Sequence, residues 1–404
     1  MDSHCGWVWW NNAILIQFRL PKSKNMFKYH IMMSVGIALL TNVAIGADSA
    51  EEVYQQGVSR FEKHDYEGAI VAFTEAIRLD PQYVWAYCYR GYVYYTKDDF
   101  DKAIADYSEA LRLNPAHASA YHLRGNAHIE KEEWDQAIID HKNALRLDPK
   151  LHHSFFNIGI AYGAKGDCKK AIAALTKMIQ LEPKHHDAYC SRACEYIEIG
   201  EYDKAIADCT EAIHLNPQSS LAYNNRGVAH HWKRNYAKAI HDLTKSIEVN
   251  PKFTQAYCNR GRAYAEKGEH DKAFKDFEKA LQLEPNFANA YVWRGRAFQL
   301  MHNWDASIND LSRAIQIDPK LENAYYLRGI THINKRNFDL AIADLTKAAQ
   351  IRPDFADTYH YRGIAYTKQG KKEKAEADFV KAKKLGHKGP DSSQFPEIKE
   401  ATPL

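Results

Sequence analysis

The sequence predicts an all-α chain, a right-handed α-α superhelix (solenoid) of about ten 34-residue helical hairpins, on three observations. Nine prolines stand in one register, Pro81, Pro115, Pro149, Pro183, Pro217, Pro251, Pro285, Pro319 and Pro353, each 34 residues after the one before. When units are counted from Ala50, the eighth residue is Gly in nine units, from Gly57 to Gly363, and Ala193 in the fifth. The twentieth is Ala in every unit but one, from Ala69 to Ala375, with Ser307 as the exception. Self-similarity at a fixed period of this size marks supersecondary units that bury their apolar faces only by stacking on one another.

Taken in order along the chain, residues 1–25 read as an N-terminal extension, or as a mis-assigned start upstream of Met26, and they include Trp7, Trp9 and Trp10. Residues 26–47 carry Lys28, an apolar stretch from Ile31, and a small-residue end at Ala44, Gly46 and Ala47. That is the layout of a signal peptide or a membrane anchor. The stretch is short for a bilayer span, which needs about 20 residues. The expectation is export (periplasmic or secreted) or anchorage through this segment, rather than a cytoplasmic protein.

Residues 50–389 hold the ten hairpins. In the unit from Ala256 to Phe287, Tyr257, Gly261 and Tyr264 fall at i, i+4 and i+7, and Ala273, Phe277 and Ala280 repeat that spacing. Two amphipathic helices are predicted, with the polar run ending at Asp271, which contains Gly268, as the turn. The proline then ends the second helix, because it cannot donate the helical hydrogen bond. Small residues at the eighth and twentieth places let the two backbones approach closely. The last hairpin is rich in Lys and Glu and is expected to cap the stack. Residues 390–404 are short, polar and expected to be a flexible tail.

Period, small residues, aromatics and proline together resemble the tetratricopeptide repeat family over residues 50–389. The resemblance implies a non-catalytic protein-protein interaction scaffold that binds an extended peptide or partner protein in a concave groove. A self-associating structural or assembly factor is the alternative. The groove is lined by the first helices, through their second, fifth, sixth, ninth and twelfth residues. Carried onto this chain, those places give aromatic candidates Tyr54, Trp85 and Tyr92. They give amide candidates Asn126, Asn157, Asn224, Asn225, Asn259 and Asn289, with Arg262, Trp293 and Arg296 beside them. An amide offers both donor and acceptor to a peptide backbone, and an aromatic adds contact area at low entropic cost. A carboxylate clamp of the chaperone-adaptor kind is not expected, since His122, Asp187 and Ser191 stand where cations belong.

One interaction is legible from the repeats alone. The seventh residue is Arg and the twenty-third Asp in eight units, while the first and fourth lack both: Gln56 with Ala72, Ile158 with Ala174. Joint presence and joint absence predict an ion pair from first to second helix.

The remaining chemistry is sparse. The 54 Lys and Arg against 51 Asp and Glu leave a formal charge of +3, no field for nucleic acid. No phosphate-binding loop, HExxH, GxSxG or dinucleotide fingerprint occurs, so neither an enzyme, a small-molecule substrate nor a cofactor is expected. The most metal-like cluster is His185, His186, Cys190 and Cys194. Its i and i+8 members lie about 12 Å apart along a helix, too far for one ion, so no metal site is expected.

Overall fold

The computed structural model describes residues 49–387. The expectations for residues 1–25, 26–47 and 390–404 lie outside them. Among the described residues there are twenty helices and no strand, and no helix is long and apolar enough to cross a membrane.

Two compact bodies divide the chain between Ile199 and Gly200. The first holds α1 (Ala50–Glu62), α2 (Tyr66–Leu79), α3 (Val84–Thr96), α4 (Phe100–Leu113), α5 (Ala118–Glu130), α6 (Trp134–Leu147), α7 (His153–Ala164), α8 (Cys168–Leu181) and α9 (His186–Glu198). The second holds α10 (Tyr202–Leu215), α11 (Ser220–Trp232), α12 (Tyr236–Val249), α13 (Thr254–Glu266), α14 (His270–Leu283), α15 (Ala288–Leu300), α16 (Trp304–Ile317), α17 (Glu322–Asn334), α18 (Phe338–Ile351), α19 (Ala356–Lys368) and α20 (Lys372–Lys384). Odd-numbered helices are the first of each hairpin. Within a body, each helix packs on its sequence neighbours, and successive first helices touch one another.

Local chemistry sets the boundaries. Second helices that precede a register proline end two residues before it, and the C-cap residue between is extended, as the clash with the proline ring requires (Asp80, ψ 97; Asn250, ψ 91). They often start from an Asp or Asn whose side chain accepts an orphan backbone N–H, as Asp65 does from Gly68 and Asn235 from Lys238. The turn inside each hairpin carries a left-handed residue at one fixed place. Four hairpins use Gly there, at Gly166, Gly200, Gly268 and Gly370. Six use another residue, for example Asp98 (φ 64) and Arg336 (φ 62).

The predicted close approach is present. A Cβ built on Gly227 would lie 2.7 Å from Leu243 Cγ and 3.2 Å from the Ala239 carbonyl oxygen. Ala239 itself is fully buried. The same slot recurs, with Gly57 against Phe73 and Gly261 against Phe277.

The predicted ion pair is also present. Arg90, Arg124, Arg226, Arg260, Arg294, Arg328 and Arg362 each donate a two-pronged bond to the Asp sixteen residues on, at 2.7–2.9 Å. Most of these arginines reach further. Arg260 Nη1 donates to Thr244 Oγ1 of the preceding second helix at 3.1 Å, and the guanidinium sits 5.7 Å from the Tyr257 ring. One side chain therefore ties three helices.

Candidate functional site along the first helices

The sequence-predicted residues separate into three groups. At the start of the first body the aromatics are partly core. Tyr54 is buried edge-on against Tyr83 and Tyr89, with ring centroids 5.2 and 5.3 Å away. Tyr92 is half-buried against Phe61. Trp85 is exposed, its ring edge-on to His117 at 4.9 Å.

The second group is the amides that bond each other. Asn157 Nδ2 donates to Asn126 Oδ1 at 2.7 Å, between α7 and α5. Asn224 Nδ2 donates to Asn225 Oδ1 at 3.1 Å, and Asn259 Nδ2 donates to Asn224 Oδ1 at 2.9 Å. Asn224 and Asn225 are both 0 % exposed. A ligand reaches neither unless the helices part. Their amides join neighbouring first helices, a use that a register within one unit does not reveal.

The third group lies in the second body and is half-buried. Asn289, Trp293 and Arg296 fall at i, i+4 and i+7 on α15, hence on one face. Trp293 lies under the guanidinium of Arg262 from α13, at 3.9 Å from carbon to ring centroid. Trp232 from α11 covers its other neighbour position at 4.7 Å. Trp232 ends α11 and was not among the sequence candidates. Its contact with Arg262 spans two hairpins, whereas the candidates were read position by position within each unit.

Arg262 donates no hydrogen bond and makes no salt bridge, and its buried Nε has no partner. Glu266, one turn on, is the carboxylate that acts on it electrostatically, but it forms no ion pair with it. Arg262 keeps a limited opening to solvent. The surrounding protein is nevertheless dense enough to pull its pKa down to about 10, because burial penalises the charged form, and the nearby Arg296 adds to this. Burial lowers Arg296 too. His231, beside Trp232, is held well below its ordinary value by burial and then by Arg262. Asn289 Oδ1 has no protein partner. Two half-buried cations, two indoles and an amide whose Oδ1 is unbonded thus share the face built by α11, α13 and α15. Chemically the face offers guanidinium donors beside flat aromatic surface.

The metal-like cluster read from the sequence does not assemble. His185 Nδ1 accepts the Ala188 N–H as a helix cap at 3.1 Å, and Cys190 and Cys194 are buried. The side chains that do converge are His152, His153 and Glu182.

Family models described as tetratricopeptide repeat or TPR repeat match residues 57–98, 84–117, 152–185, 186–219, 220–253, 254–287 and 322–355, more than half of the chain. The chain belongs to the tetratricopeptide repeat family. Among solved structures, yeast Tom70 is similar over 83% of this chain and 92% of its own, at 16% identity and a TM-score of 0.50. That likeness supports the tetratricopeptide solenoid fold. A tetratricopeptide repeat protein from Parabacteroides merdae matches 70% of this chain and 99% of its own (20% identity, TM-score 0.49). YrrB, described as a TPR protein with an unusual peptide-binding site, matches 45% of this chain and 93% of its own (26% identity, TM-score 0.40). No curated protein matches by sequence.

Proposed function

We propose that this chain is a non-catalytic scaffold that binds an extended segment of a partner protein along the first helices of its second body, and that the segment places a carboxylate against Arg262 and Arg296. The observation that carries this reading is the Arg262 guanidinium. It is held between Trp232 and Trp293 and has no hydrogen-bond acceptor. A buried cation without an acceptor is costly in the free protein, and an acidic ligand group removes that cost. Asn289 supplies an amide to the ligand backbone, and the indoles supply contact area. Asn224 and Asn225 hold the wall rather than the ligand.

The test is an array of extended peptides, acidic, neutral and basic, probed with the full chain, followed by anisotropy on the best binder. Arg262→Gln is expected to weaken acidic peptides by about 1.5 to 3 kcal/mol, the range for a hydrogen bond to a charged group. Helical content should stay unchanged. Lys272→Ala with Lys279→Ala, on a second helix, is expected to leave binding intact. Binding that ignores Arg262→Gln and Trp293→Ala, yet is lost with the lysines, would place the ligand elsewhere and sink the proposal.

The alternative, self-association through a solenoid end, has one observation in its favour. On the terminal helix α20, Phe379 and Val380 are exposed, at 36% and 62%. A molecular mass in sedimentation that rises with concentration, and that Val380→Lys abolishes, would support it. Residues 26–47 add the proposal of export or tethering, which N-terminal sequencing of the mature protein tests.

A further inference from the structure

The fourth hairpin, α7 with α8, is one of two that carry no Arg–Asp fork; Ile158 and Ala174 occupy those places. Its ends are tied differently. His152 is the N-cap of α7, His153 is the first residue of that helix, and Glu182 is the C-cap of α8. His152 Nε2 is hydrogen-bonded to Glu182 Oε1, and His153 Nε2 lies 3.5 Å from the same oxygen. One ligand atom from each of the three residues lies within 4.8 Å of the others. The backbone is also particular here. His152 has φ −63 and ψ −20, helical values, whereas the other first helices start from a cap with ψ between 85 and 157.

We propose that His152, His153 and Glu182 form a site for a late first-row divalent metal ion, zinc above all, that clasps the two ends of the fourth hairpin. The donor set is two imidazoles and one carboxylate, a combination that suits zinc and leaves a fourth, tetrahedral position to water. Tetrahedral ligands at ordinary zinc distances stand about 3.4 Å apart. The His153–Glu182 separation of 3.5 Å already meets this, and His152 must draw back from the carboxylate to admit the ion.

On binding, the Nε2 proton that His152 donates to Glu182 leaves that nitrogen, and the ring ligates as the neutral tautomer protonated on Nδ1. Two nitrogen–metal bonds and one oxygen–metal bond then replace the hydrogen bond. Both histidines are half-buried, so solvent reaches the site while the helix ends hold the rings in place. His185 is close, its ring 5.6 Å from that of His153, but it is not a ligand. Its Nδ1 accepts the Ala188 N–H, which leaves the ring proton of the neutral form on Nε2. The clasp would do at the hairpin's outer end what the Arg–Asp fork does midway along the others.

The experiment is calorimetric titration of the tag-free full chain with zinc chloride, paired with thermal melts with and without zinc. One ion per chain and a raised melting temperature are expected. His153→Ala and Glu182→Gln should each weaken binding roughly tenfold or more, since losing even an outer-shell partner costs that much, and should remove the thermal shift. His185→Ala should bind as the parent does. No zinc uptake, or uptake that His153→Ala and Glu182→Gln leave unchanged, overturns the proposal. So does loss of binding in His185→Ala alone.

Discussion

At the residue scale, the slot facing each eighth-position glycine shows how tightly the repeat constrains a side chain and where this chain departs from it. Phe73, Leu243, Phe277, Leu311 and Leu345 fill it with hydrocarbon, fully buried. His141 fills it in the third hairpin, 0 % exposed, with neither ring nitrogen bonded to protein, and Tyr107 fills it in the second with its hydroxyl unbonded. Stranded polar atoms of this kind cost about 1 to 3 kcal/mol each. His141→Leu, which copies the slot of other hairpins, is therefore expected to stabilise the protein by about 1 to 2 kcal/mol in urea unfolding. Burial also holds the His141 pKa well below its ordinary value, so the folded chain refuses a proton that the unfolded chain accepts. The sign follows: that stability is fully present above about pH 6.5 and is lost as the pH falls below it. The gain from His141→Leu should be larger at about pH 5 than at about pH 7.5, and an equal gain at both would contradict the assignment. Periodicity placed these side chains in the core, but not their unmet hydrogen bonds, which depend on what surrounds each ring.

At the element scale the hairpin was legible where two positions of one unit changed together. Arg at the seventh place and Asp at the twenty-third are present or absent jointly, and the structure brings them to a two-pronged bond. The chain even contains the apolar replacement, Ile158 with Ala174, whose side chains are buried in the fourth hairpin. This sets up a cycle. Asp276→Ala leaves Arg260 half-buried, with Thr244 as its remaining oxygen partner, and should cost about 2 to 4 kcal/mol. Arg260→Ile combined with Asp276→Ala restores the fourth hairpin's solution and should cost less than half as much. If the double variant is as unstable as the sum of the two singles, the pair contributes independently and the account of a coupled fork fails. What the sequence concealed at this scale lies between units, in the Asn224–Asn259 amide bond and the Trp232–Arg262–Trp293 stack, and within the fourth unit, in the approach of His152 and His153 to a carboxylate at the far end of the same hairpin. Each joins positions with different places in the register. A repeat alignment compares like with like and passes over such pairs.

At the scale of the molecule, the main packing within each body, among the described residues, is between sequence-neighbouring helices and between the first helices of adjacent hairpins. Stability is then nearly a sum of hairpin terms and nearest-neighbour interfaces, so damage should stay local. Asp276→Ala acts in the seventh hairpin. Native-state hydrogen exchange of this variant should show faster exchange in α13 and α14 and a smaller effect in α12 and α15. The amides of α3 to α6, in the other body, should keep their parental protection. The argument is energetic: an opening that frees the seventh hairpin breaks only its own contacts and two interfaces, at a free energy well below that of unfolding the whole chain. Lys272→Ala, an exposed change on the same helix, is the control and should alter protection nowhere. Uniform loss of protection from α1 to α20 in Asp276→Ala would mean that the hairpins open as one cooperative unit, and a nearest-neighbour description of this chain would then be wrong.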